Sequence, residues 1–234
     1  MPDVLDVPEE ETPAGTDDLE AEVSTEAPGA TTGPTTGTPP ARKRPKPGER
    51  RVQILQTLAG MLEQPGADRI TTAALAARLA VSEAALYRHF ASKAQMFEGL
   101  IEFIESSVFT LVNQITERET SGALQAQKMV AVLLQFGEKN PGMTRVMVGD
   151  ALVFEHERLS LRMNQFFDRL ESQLRASLRA AAEAAGSPTP TVDAQALASA
   201  LTALAIGRLQ RYARSGFKRL PTEHLEPALH RLTT

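Results

Sequence analysis

Apolar residues fall into a helical rhythm from about residue 48 onward and into no rhythm before it. Val52, Leu55, Leu58, Ala59 and Leu62 recur three and four apart, which predicts a first amphipathic helix from about Gly48 to Gln64, ended by Pro65-Gly66. Two short helix-forming runs follow. Thr71 and Ser82 stand directly before them, where a hydroxyl caps a helix, and only Ala80-Val81 separates the runs. Two helices of about nine residues joined so tightly must cross sharply. Leu75, Ala76 and Leu79 of the first then meet Leu86 and Phe90 of the second in one apolar wedge, and three helices fill residues 48 to 90.

Beyond them Ser92-Lys-Ala-Gln95 is a capping box opening a long helix with the stripe Phe97, Leu100, Ile101, Ile104, Val108, Leu111 and Ile115. Phe103 lies off that stripe, so it is either covered by another helix or offered to a partner. Lys128 to Phe136 is apolar nearly all round and should be central; it stops at Gly137-Glu-Lys-Asn-Pro-Gly142. A short helix at about 143–152 precedes a long one carrying Leu159, Met163, Phe166, Phe167, Leu170, Leu174 and Leu178, then a flexible loop at 186–190. The last long helix, about Val192 to Ser215, carries Leu197, Leu201, Leu204 and Leu209 on one face. Ala196, Ala200, Ala203 and Gly207 form a small-residue seam on another, suited to a dimer interface or a close internal contact, and a homodimer is the expected use. The chain is therefore expected to be all-α: a helix-turn-helix head at 48–91, then a helical regulatory and dimerisation body at 92–234.

Charge adds a third region. Residues 1–41 hold ten Asp or Glu and no Lys or Arg, with much Pro, Thr and Gly, which reads as a disordered acidic tail. Removing those ten from the 29 acids leaves 19 against 25 basic residues, so a chain of net charge −4 carries a basic remainder. The basic run Arg42 to Arg51, two prolines within it, starts with an arm at 42–47, whose Arg42, Lys43 and Arg44 can follow a phosphate backbone or enter a minor groove.

On the second short helix the outward face, opened by Glu83, carries Ala84, Ala85 and Arg88 between Tyr87 and His89. A helix small in front and basic-aromatic behind can enter the major groove of double-stranded DNA. Thr71, Thr72, Ser82 and Lys93, at helix starts, are candidates for phosphate.

Other chemistry is not encoded. There is no Cys, which removes disulfides, thiolate nucleophiles and Cys-ligated zinc and fits a reducing cytoplasm. No apolar run spans a bilayer, and the acidic start lacks the basic region of a signal peptide, so no membrane partner is expected. Glu155-His156-Glu157 diverge on a helix and cannot chelate one ion alone; no cofactor, metal site or catalytic constellation emerges.

The ending Tyr87-x-His-Phe-x-Ser-Lys93 resembles the TetR family of dimeric DNA-binding proteins. Further strings resemble one branch of it, the nucleoid occlusion factors: Arg69-Ile-Thr-Thr-Ala, Val81 to Phe90, Met96-Phe97, Ile101-Glu-Phe-Ile-Glu105, Phe136 to Gly142, and Asn164-Gln-x-Phe167. The resemblance runs from about Glu49 to the C-terminus. It implies a nucleoid-associated homodimer that binds near-palindromic sites and the tubulin-like division protein FtsZ, blocking ring assembly over the chromosome. The FtsZ tail would lie between the helices expected at 92–118 and 123–139, at positions corresponding to Phe103, Val132, Lys139 and Asn140. An ordinary TetR-type repressor with an inducer pocket is the alternative. This chain departs from the pattern at Ala80, where the family has Gly in the turn, and at Leu111 and Gln135, where Arg and Gly are expected.

Overall fold

The computed structural model describes residues 48–64 and 69–233. The acidic tail and the basic arm with Arg42, Lys43 and Arg44 lie outside the described residues, as does the Pro65-Gly66 stop. Every regular element among those described is a helix. None is long and apolar enough to cross a membrane.

The head consists of α1 (Glu49–Leu62), α2 (Thr72–Arg78) and α3 (Glu83–Tyr87). Its core is Ile54, Leu58 and Leu62 of α1 against Leu75, Ala76 and Leu86, closed by Phe90 just beyond α3. The two short helices hold seven and five residues rather than nine, because each begins one residue after its capping hydroxyl and ends at a turn. Leu79 is accordingly only half-buried.

The body begins with α4 (Lys93–Arg118) and α5 (Gly122–Lys139). On α4 the core stripe runs through Ile104 and Val108 to Val112, while Leu111 is 41% exposed. A step of four keeps pace with a 3.6-residue helix where the expected step of three turned the stripe outward. α5 is central, with Ala126, Met129, Val130, Leu133 and Leu134 fully buried. Asn140-Pro141 ends it and starts α6 (Pro141–Met147), with proline at the first helical position where its missing N–H costs nothing. A 3-10 turn at Asp150–Leu152 leads to α7 (Glu157–Ala184), which packs along α8 (Pro190–Arg214) over most of both lengths. The loop before α8 is tied down: Thr189 N–H donates to Ser187 Oγ at 3.0 Å, and both hydroxyls bond the Asp193 carboxylate. A final helix, α9 (Leu225–Thr233), seats Leu225 and Leu229 in the core; two leucines four apart are too little pattern to predict a helix.

On α8 the division of faces differs from the expected one. Ala194, Ala198, Leu201, Thr202, Ala205 and Leu209 face the core, whereas Leu197 and Leu204 are half-buried. Alanine on the inward side lets α7 and α8 approach closely, which pushes those leucines to the flank.

A close backbone contact sets the head on the body, and ion pairs then tie α4 to the segment at the start of α7. A Cβ added to Gly142 would lie 2.2 Å from the Ala59 carbonyl oxygen, so α6 meets the α1 backbone where no side chain fits. Along α4, Lys93 pairs with Glu155, Glu98 with Arg158 at 2.8 Å, and Glu105 with Arg162 in a two-pronged bridge at 2.6 and 3.0 Å. The Glu105 hydrogen bonds raise the Arg162 pKa, more than partial burial lowers it.

Candidate nucleic-acid interface

A five-residue helix cannot stand alone in water, so α3 takes its position from its attachments. At its start, Ser82 Oγ accepts from the Ala85 N–H at 3.3 Å; Thr71 Oγ1 does the same for Ala74 at 3.1 Å on α2. Accepting leaves each hydroxyl hydrogen free, and both residues are exposed, so either can donate to a phosphate oxygen. Thr72 is different: its hydroxyl donates to Glu83 Oε2 at 2.6 Å, bracing α2 against α3 and committing the hydrogen to a carboxylate. At the far end of α3 the Arg51 guanidinium donates to the His89 carbonyl at 2.9 Å and lies 4.1 Å from the Phe90 ring centroid.

With α3 held at both ends, Ala84, Tyr87, Arg88 and His89 are exposed and Ala85 is half-buried. Arg50, Arg88 and His89 line a cleft of about 380 Å³ between α1 and α3, with Ala85 at its wall. Arg50 and Arg51 both stand in the first turn of α1. One lines the cleft beside α3 and the other holds that helix. Sequence reading counted their charges but not these roles, although both stand one turn from the arm on a helix whose apolar face was already clear. Lys93 turns toward the body, its ammonium on Glu155 and 5.7 Å from the Phe97 ring centroid.

The turn between the helices contains Ala80 at φ 52°, left-handed as its place in the family pattern implies for glycine. The Val81 and Ala80 N–H groups donate back to Ala76 and Ala77, closing the end of α2.

On the body, Phe103 is 46% exposed, its ring centroid 6.1 Å from that of Phe136 on α5. Val132 is half-buried and Lys139 exposed on the same helix. Asn140 donates its amide to the Phe136 carbonyl at 2.7 Å, which closes the helix end and leaves its side-chain oxygen to accept. Phe136 itself escaped sequence reading, hidden inside a run that looked apolar all round. On α8, Ala196, Ala200 and Ala203 are exposed and Gly207 half-buried, with open space beside Gly207. No group of three or more His, Asp or Glu among the described residues could hold a metal ion.

Two hydroxyl-capped helices around a left-handed turn, set on a helical body, define a helix-turn-helix DNA-binding regulator of the TetR type. Residues 54–100 match the family model of bacterial regulatory proteins of the tetR family, and residues 121–234 that of the tetracyclin repressor-like C-terminal domain of SlmA-like proteins. The fold is shared with the TetR-family regulator PfmR from Thermus thermophilus, with TM-score 0.64, 19% identity and 78% and 95% of the two chains covered. It is also shared with FadR from Bacillus subtilis in complex with stearoyl-CoA, with TM-score 0.62, 11% identity and 78% and 97% covered; identities this low bear on the fold alone. The nucleoid occlusion factor SlmA of Idiomarina loihiensis is 51% identical over 175 residues, 75% of this chain and 89% of the relative. That of Photobacterium profundum is 52% identical over 178 residues, 76% and 90% of the two chains. The chain belongs to the SlmA family of nucleoid occlusion factors, DNA-binding regulators rather than enzymes.

Proposed function

We propose that this protein is a nucleoid-associated cytoplasmic homodimer that binds specific near-palindromic chromosomal sites and, through its body, the division protein FtsZ, so that ring assembly is blocked over the nucleoid. Arg88, Tyr87, His89, Ala84 and Ala85 enter the major groove, Thr71 and Ser82 hold phosphates, and the arm at Arg42, Lys43 and Arg44 adds backbone contacts. Thr72 and Glu83 act as a braced pair at the start of the recognition helix, and Lys93, the first residue of α4, contributes chiefly by tying the start of that helix, just after the head, to the segment before α7. The seam Ala196, Ala200, Ala203 and Gly207 pairs two protomers, because a small-residue face left open on the outside of a long helix allows close backbone approach. Regions 48–91 and 92–234 act as the locator and the effector.

The observation that carries the FtsZ reading is the exposed Phe103, resting on Phe136, with the exposed cation of Lys139 one turn further along α5. An aromatic anchor next to a cation suits a short peptide with apolar and acidic side chains. The test is fluorescence polarisation of a labelled FtsZ tail peptide with and without site-bearing DNA. Saturable binding in which protein, peptide and DNA coexist supports the proposal; no binding under either condition sinks the FtsZ reading. Release of DNA on addition of a small ligand, without peptide binding, would mark an ordinary repressor.

A further inference from the structure

A second charged feature, at the end of α8 and in the turn after it, has no part in the reading above. Between Asp193 and Glu223 the sequence holds five basic residues, Arg208, Arg211, Arg214, Lys218 and Arg219, and no acid. Three of them, Arg208, Arg211 and Arg219, line a cavity of about 150 Å³ at the end of α8, together with Glu223 and His224. None of the three forms an ion pair among the described residues. Glu223 faces His224 at 3.8 Å instead.

Basic residues at a helix C-terminus ordinarily need no further account, because they offset the helix dipole. Two facts go beyond that. Arg219 is not on the helix; it comes from the following turn, where its N–H donates to Ser215 Oγ at 2.9 Å and aims the residue back toward α8. The turn is also built against backbone preference: Phe217 has φ 63° and His224 φ 52°, and non-glycine residues seldom adopt such values without support. That support is present. Arg208 Nη1 donates to the carbonyls of Pro221 and Glu223 at 3.0 and 2.7 Å, and Thr222 bonds the Glu138 carboxylate. Tyr212 stacks edge-on with Phe217 at 5.1 Å and donates to the Glu138 carbonyl at 3.0 Å. Burial raises the Tyr212 pKa, with the Glu138 charge adding to it, so this hydroxyl stays a donor.

The turn is thus held rigidly while it brings together guanidinium groups that no carboxylate among the described residues pairs with. We propose that the cavity binds a compact phosphoryl oxyanion, inorganic phosphate or diphosphate or the terminal phosphate of a small molecule, with Arg211 and Arg219 as donors and Arg208 adding charge while it holds the turn. Guanidinium forks match phosphoryl oxygens in geometry and stay charged at any working pH. The volume is well below the roughly 300 Å³ at which pockets for drug-sized ligands begin, so the site takes the anionic group and leaves the rest of any larger molecule in solvent.

The test is calorimetric titration of the full chain with inorganic diphosphate at constant ionic strength, chloride balancing each addition. The wild type should show saturable binding at one site per chain. The double variant R211Q/R219Q should bind about tenfold more weakly or worse, since each substitution removes a charge-assisted donor. Stripping the head with R50Q/R88Q should leave diphosphate affinity within about twofold. The opposite pattern would place the anion on the DNA face and overturn the proposal, as would the absence of saturable heat in the wild type. If R211Q/R219Q keeps its diphosphate affinity but sediments as a weaker dimer, the arginines serve the interface between protomers and the proposal fails. Thermal melting of each variant separates lost binding from lost fold; should the double variant melt early, R219Q alone on its exposed turn should still weaken binding about threefold.

Discussion

The outward faces of α3 and of the α4–α5 pair are surfaces of opposite construction. α3 has five residues and one fully buried side chain, Leu86, so its position depends on the Ser82 cap, the Thr72–Glu83 brace and the Arg51 clamp at the two ends. α4 and α5 have 26 and 18 residues and rest on fully buried stripes. Their outer side can carry an exposed Phe103 because the helix beneath it is held by buried packing, with the Glu98 and Glu105 ion pairs adding to it. A recognition helix placed by its neighbours should therefore lose function when a support changes, even one that touches no ligand. A face on long self-supporting helices should lose function only when the contacting side chain itself changes.

The most severe test strikes the joint between the two. Gly142→Ala would place a methyl 2.2 Å from the Ala59 carbonyl, where backbone rather than a flexible side chain must yield. We expect a loss of about 2 to 3 kcal/mol in urea unfolding, in the range of overpacked cores, with weaker DNA binding at concentrations where the chain is still folded. Unchanged stability would mean that α1 and α6 can separate freely.

Next in size is Arg88→Ala, which should weaken site-specific DNA binding by about 1 to 3 kcal/mol and leave peptide binding alone. Equal discrimination between a specific site and random DNA in wild type and variant would remove Arg88 from base reading. On the other surface, Phe103→Ala should weaken FtsZ-peptide binding by about 1 to 2 kcal/mol and leave DNA affinity unchanged. Because the ring is 46% exposed, the stability loss should stay below about 1 kcal/mol; a larger loss would show that Phe103 serves the core. Arg51→Met sharpens the comparison, because Arg51 is spent on His89 and Phe90. It should cost about 1 kcal/mol in DNA binding by releasing the end of α3.

How far each surface was legible in the sequence follows the same division. Caps are local, so Thr71 and Ser82 mark where α2 and α3 begin, though not that α3 ends after five residues, and the apolar wedge beneath them follows from spacing. The supports were not legible. Arg51 lies 38 residues from His89 and Thr72 lies 11 from Glu83, and nothing in the local pattern of either residue names its partner. Lys93 read as a phosphate ligand for the same reason, its partner Glu155 being 62 residues away. On the body, periodicity alone put Phe103 off the core. It could not reveal Phe136 beneath it or Val112 in place of Leu111, because a small error in phase accumulates along a long helix. On α8 the alanines that face inward are not marked by its own pattern, because that packing choice depends on α7 and not on α8 itself.

The smallest effect we expect concerns the turn between α2 and α3, where one residue tests whether the head's supports are under strain. Ala80 holds φ 52°, a region that costs an L-residue about 1 to 2 kcal/mol relative to its right-handed alternative. Glycine would remove that cost but loses about 0.5 to 1 kcal/mol through its greater freedom in the unfolded chain. The difference leaves Ala80→Gly a net gain of about 0 to 1.5 kcal/mol in urea unfolding. Ala80 is exposed, so the change removes no core contact that could obscure the result. The direction for DNA is less obvious and more informative. If the turn only connects the helices, affinity should be unchanged, because the cap, the brace and the clamp still fix α3. Weaker binding by a more stable Ala80→Gly protein would show that a stiff turn acts as a fourth support, and that the head holds its recognition helix partly through strain.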